Sequence, residues 1–107
     1  MNEAATVQAT LNQFDSAVAS RDMGQLQAVG IKPGIAKNWQ KFFKSNPAAT
    51  VSDDCPASTL VIFSDTAVWS CIETVTVISE GKPVPFALGV RFSFVKKNGA
   101  WTIADRR

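Results

Sequence analysis

The chain has 107 residues, enough for a single domain spanning 1–107 with a real core and no need of staples. Its 46% hydrophobic and 19% charged residues are ordinary for a soluble globular protein, and a net charge of +2 is too small to point to nucleic acid. It contains no His and no Tyr, which removes the commonest metal ligand and general base at neutral pH and with them the His-dependent triads.

Two cysteines sixteen positions apart cannot form a zinc site alone, so neither a metal nor a cofactor is expected. No apolar run is long enough to span a bilayer, and no basic-then-apolar stretch precedes the first helical segment. A mature or excised domain would also lack such a leader, so the compartment stays open: cytoplasmic if Met1 is native, extracytoplasmic if the cysteines are joined.

In chain order, Val7, Leu11, Phe14 and Val18 recur at steps of four, three and four, predicting a helix over 3–20. Asp15 lies at the edge of that stripe and is expected in solvent. Asp22 is a plausible N-cap for a short second helix through Val29, with Met23, Leu26 and Val29 facing inward and Gly30 ending it. A third helix is predicted from about Ile35 to Ser45. Ile35, Trp39, Phe42 and Phe43 gather on one side, and Lys37, Lys41 and Lys44 form a solvated outer face. Asn46-Pro47 stops it.

From Ala48 the apolar period becomes two. Strands are expected over Thr50–Ser52 (cut short by Asp53-Asp54), Thr59–Phe63, Thr66–Ser79, Pro83–Lys97 and Trp101–Arg106. The fold class is therefore α+β. Three N-terminal helices pack in the concave face of a curved, mainly antiparallel sheet of four to five strands.

The turns fix the pairing. A two-residue loop at Gly81-Lys82 sets Val77 opposite Phe86, Val75 opposite Leu88, Glu73 opposite Val90, Cys71 opposite Phe92 and Trp69 opposite Phe94. A loop at Asn98-Gly99, the strongest hairpin signal, sets Phe94 opposite Ile103 and Phe92 opposite Asp105. A loop at Ser64-Asp65 sets Ile62 opposite Ala67 and Leu60 opposite Trp69. All three gather the large apolar residues on one face, which a one-residue slip would scatter. The other face carries Val61, Phe63, Val68, Ile72, Ile78, Ala87 and Gly89 among threonines and serines, too apolar for water alone, and predicts a homodimer through it.

The order of helices, with Arg21-Asp22 before the second and Trp39 and Phe42-Phe43 in the third, precedes a meander with Ser64-Asp65-Thr66-Ala67 at one hairpin and Gly99-Ala100-Trp101-Thr102-Ile103 at the end. This resembles the nuclear transport factor 2-like (SnoaL-like, cystatin-like) superfamily, a cone whose sheet wraps the helices around a pocket. It is most similar to small accessory domains of bacterial multidomain proteins, some kinases included. The resemblance implies a non-catalytic accessory or dimerisation domain, with a small apolar ligand in the cone. Its alternative is a small-molecule isomerase, cyclase or dehydratase. Enzymes of the superfamily place Asp, His or Tyr inside the cone, and here only carboxylates are available.

Glu73 and Asp105 are the two charges expected to point into the cone. A buried carboxylate without a partner costs several kcal/mol, so such groups are neutral, paired or beside a wet cavity. At about 4.8 Å per strand they lie roughly 10 Å apart, too far to share a proton. Trp39, Trp69 and Phe92 complete the candidate ligand lining, or are simply core. Cys55 and Cys71 are either two buried thiols or a disulfide. Cys71 should face Ser58, and a bulge near Pro56 would bring Cys55 within reach. Closing that loop would stabilise by about 3 kcal/mol.

Overall fold

A computed structural model describes residues 3–107, in the order α1 (Glu3–Ser20), α2 (Met23–Ala28), α3 (Pro33–Ser45), β1 (Thr50–Asp54), β2 (Leu60–Phe63), β3 (Thr66–Ser79), β4 (Lys82–Lys97) and β5 (Ala100–Arg106). The sheet is antiparallel, ordered β1-β3-β4-β5, with β2 also paired to β3. β1 and β2 lie end to end along one edge of β3: β1 covers residues 72–76, and β2 covers 66–69.

The apolar stripe of α1 does what its spacing requires. Val7, Leu11, Phe14 and Val18 are buried, and the Phe14 ring meets Phe92 of β4 edge-on with centroids 5.3 Å apart. Glu3 ties the start of α1 to the sheet by accepting from Trp101 Nε1 and Lys96 Nζ. Asp22 caps α2 by accepting from the Gln25 amide at 3.0 Å. The Val29 carbonyl then accepts from the Ile103 amide of β5 at 2.7 Å. Gly30 follows with φ of +106°, and a Cβ there would collide with the Ile103 carbonyl oxygen. Only glycine lets α2 meet the sheet so closely.

Three expectations about the backbone of the sheet need correction. The β3–β4 turn is Glu80-Gly81, not Gly81-Lys82. Both residues take positive φ, the two-residue hairpin geometry that matches strand twist, and Ser79 pairs with Lys82. The register therefore moves by two residues: Glu73 lies opposite Leu88, Cys71 opposite Val90 and Trp69 opposite Phe92. Because the slip is even, no side chain changes face.

The second correction concerns the last strand. Phe94 pairs with Ile103 as the turn at Asn98-Gly99 demands, but Ser93 pairs with Asp105 and Phe92 with Arg106. Ala104 is an extra residue, a β-bulge that reverses the facing of everything after it. Asp105 is thereby turned out of the cone, and Arg106 takes the inward position.

The third is at β1, which does not stop at Ser52. Asp53 and Asp54 continue the ladder opposite Glu73 and Ile72.

The helices cover only part of the long β3–β4 hairpin, and the molecule measures 47 × 28 × 20 Å. Phe86 and Leu88, expected in the core, lie on the inner face beyond the helices and are 53% and 48% exposed.

Candidate functional site

Four side chains from four elements meet inside the cone. Asp15 comes from α1, Asp53 from β1, Glu73 from β3 and Arg106 from β5. Glu73 is completely buried, and Arg106 forms a forked ion pair with it: Nη2 donates to Oε1, and Nε donates to Oε2 at 3.2 Å. The guanidinium also lies over Trp39 of α3, 5.3 Å from the ring centroid.

One guanidinium faces three carboxyls, and the titration behaviour follows from that imbalance. Burial pushes Glu73 up to about 7, with the Asp53 carboxyl adding to the rise and Arg106 opposing it. Burial likewise pushes Asp53 up to about 7, reinforced by its contact with Asp15. Asp15 is also raised, chiefly by burial. Both oxygens of Asp53 and Oδ1 of Asp15 are buried with no hydrogen-bond donor from the described residues. A carboxyl proton would supply the donor these oxygens lack, since a protonated acid donates where a carboxylate only accepts. Burial and mutual repulsion therefore favour the protonated forms in this cluster, and its titration belongs to the group rather than to any one residue.

Glu73 and Arg106 also form the floor of an open recess of about 330 Å³, walled by Ile35, Asn38, Trp39 and Phe42 of α3 and by Val75 and Leu88 of the hairpin. It is largely apolar with a charged floor, the usual make-up of a small-molecule site.

Of the sequence-derived candidates, the structure brings Trp39 and Glu73 together at this recess. Phe92 is fully buried against Phe14 and does not line the recess. Trp69 lies elsewhere. It is buried with Nε1 donating to the Pro56 carbonyl at 2.8 Å, and it borders a separate hollow with Ala4, Gln8, Leu60 and Ile62. Asp105 faces away, paired with Arg107, whose hydrogen bond holds its carboxyl below the usual range.

The sequence reading put Asp15 in solvent, where the structure buries its carboxyl in the cluster, and it missed Asp53 and Arg106. Two of them left a signal. Asp15 is four residues after Leu11 and three before Val18, a helical spacing that places it on the buried side. Asp53 continues the period-two pattern from Val51.

The cysteines form a disulfide, Cys55–Cys71, with Cα atoms 4.4 Å apart. It closes the gap on the edge of β3 between β1 and β2. No described helix is long and apolar enough to cross a membrane.

Three helices laid on a curved antiparallel meander match known structures over almost the whole chain. A Mycobacterium tuberculosis protein of unknown function superposes with a TM-score of 0.81 at 14% identity, covering 98% of this chain and 69% of that one. The CaMKII hub of S. rosetta gives 0.74 at 19% identity, covering 99% and 95%. A candidate dehydratase of the NTF2-like family from Streptomyces avermitilis gives 0.77 at 12% identity, covering 97% and 92%.

The chain has the nuclear transport factor 2-like fold. No protein-family model matches its sequence, and no curated protein matches it. A CaMKII hub and a candidate dehydratase both appear among the structures sharing this NTF2-like fold, so the fold alone does not decide function.

Proposed function

We propose that the protein is a non-catalytic accessory domain that pairs with a second copy through the outer face of its sheet and holds a small, largely apolar ligand in the recess beside α3. The observation that carries the reading is the outer face itself. Phe63 is 78% and Val61 63% exposed, and Val68, Ile72 and Ile78 are exposed on the same side. A contiguous apolar surface of this kind marks an interaction site, and β-structure left uncovered in this way invites association. The hub among the structural neighbours supports self-association as a use of this fold. At the recess floor, Glu73 and Arg106 are engaged with each other, which supports holding a ligand over transforming it. The disulfide supports an oxidising, extracytoplasmic compartment.

Size exclusion with light scattering tests the association. The expected species is a dimer that Phe63→Lys with Ile72→Lys converts to a folded monomer. A monomer at high concentration for the unmodified protein refutes it.

One observation favours the alternative, an isomerase, cyclase or dehydratase. Asp53 and Glu73 are held at about 7, where a carboxyl exchanges protons most effectively near neutral pH. In that reading Glu73 is the acid–base group. Exchange of the α-protons of a cyclic ketone for solvent deuterium, lost in Glu73→Gln, would establish it, and an absence of exchange across a ketone panel rejects it.

A further inference from the structure

The charged group that a ligand in the recess meets is Arg106. Glu73 has no exposed surface, whereas the Arg106 side chain is 19% exposed and borders the open space. A guanidinium has five N–H donors, and the hydrogen bonds of this one run from Nε and Nη2, both to Glu73. Its third nitrogen, Nη1, carries neither of these bonds, and the side chain borders the recess with its guanidinium 5.3 Å from the Trp39 ring centroid. Such a fork binds a carboxylate bidentately. The walls of Ile35, Phe42, Val75 and Leu88 suit an apolar body.

Turning that fork to a ligand has a consequence on the other side. The groups facing Glu73 are Asp53 from β1, Asp15 from α1 and Arg106 from β5. α3 contributes only Asn38 and Trp39 nearby, and β4 contributes Leu88. No second cation faces the cluster from these elements. If Arg106 leaves Glu73, three buried carboxyls remain without a countercharge, a state that burial makes very unfavourable.

We propose that the recess takes a small organic carboxylate with an apolar body, that Arg106 passes from Glu73 to the ligand's carboxylate, and that the abandoned carboxyl cluster takes up a proton from solvent in the same step. Ligand charge and proton charge cancel, so the net charge of the interior is unchanged. This rests on the reading of the recess as a ligand site and names its ligand class and its coupling to pH. The nearness of the cluster's titration to neutrality makes the uptake accessible under ordinary conditions.

Benzoate is the probe, with benzyl alcohol as its uncharged counterpart. Titration calorimetry at pH 8 in phosphate and in Tris, whose ionisation enthalpies differ, counts the protons exchanged. Benzoate is expected to bind with uptake approaching one proton and to weaken close to tenfold per pH unit above neutrality. Benzyl alcohol is expected to bind with no proton exchange and no pH dependence. Arg106→Met should lose benzoate and keep benzyl alcohol.

Benzoate binding without proton uptake overturns the hand-over. Benzyl alcohol binding while benzoate does not overturns the ligand class and leaves the recess reading standing. If neither binds, the recess reading fails with it. The proton count is made on the unmodified protein, so a poorly folded Arg106→Met variant does not blunt the test.

Discussion

Replacing Asp53 by Asn tests the carboxylate cluster most directly, because the amide keeps the shape of a protonated carboxyl and cannot ionise. In the folded protein Asp53 is pushed up to about 7 from 3.8. A carboxyl whose folded value is raised binds more protons folded than unfolded. Its contribution is fully present below about pH 4 and is lost as pH rises through about 7. A difference of about three units at about 1.4 kcal/mol each gives a limit of about 4 kcal/mol. Water reaching a partly exposed residue halves this to about 2 kcal/mol.

Asp53→Asn and the parent should therefore be equally stable near pH 4, and the variant should be the more stable by about 2 kcal/mol at pH 8. In a domain of this size that is a rise in Tm of roughly 10 °C. Urea denaturation of both proteins at the two pH values measures it, and the difference between variant and parent cancels every other titrating group. Parallel curves, or a variant less stable at pH 8, would show that Asp53 is an ordinary ionised carboxylate.

Arg106→Met leaves Glu73 buried without its partner and should cost about 3–5 kcal/mol at pH 8. The loss should shrink towards pH 5 as Glu73 protonates, read by denaturation at both values. Reducing Cys55–Cys71, or replacing both by Ser, reopens a 16-residue separation and should lower stability by about 3 kcal/mol, with β2 and the 57–59 turn the first amides to lose hydrogen-exchange protection. Gly30→Ala should cost more than about 2 kcal/mol, because its φ is unfavourable for a side chain and the added Cβ meets Ile103. Arg21 donates to the carbonyls of Val18, Ala19, Pro47 and Ala49 and stacks on Phe43, so Arg21→Met should loosen the junction of α1 with the α3–β1 loop. Thermal unfolding should show a drop of about 2 kcal/mol.

The fold was legible because two periods and three turns agree. The stripe of α1, the Asp22 cap and the hairpin at Asn98-Gly99 each require a local geometry that the rest of the chain accommodates. The Glu80-Gly81 turn was placed one residue late, since Gly81 offers positive φ in either position and nothing in the sequence says that Glu80 shares it. That error moved the register by two and left the facing untouched, so the core remained correct where the helices reach. It failed at Phe86 and Leu88, because periodicity reports which face a residue is on and not how far the covering layer extends.

The site was less legible, and one residue explains why. Strict alternation from the Asn98-Gly99 turn carries Asp105 inward, and only the bulge at Ala104 reverses it. A bulge has no side-chain signature here: Ala104 is an exposed, small, ordinary residue. Yet that single insertion exchanges a carboxylate for a guanidinium at the cone floor. Without it, Asp15, Asp53, Glu73 and Asp105 would present four acids and no counterion, an interior that burial would not tolerate. The charge balance of the cluster is therefore the physical reason to expect a register change before Arg106. Any reading that places three buried acids on facing elements should look for the arginine that alternation hides.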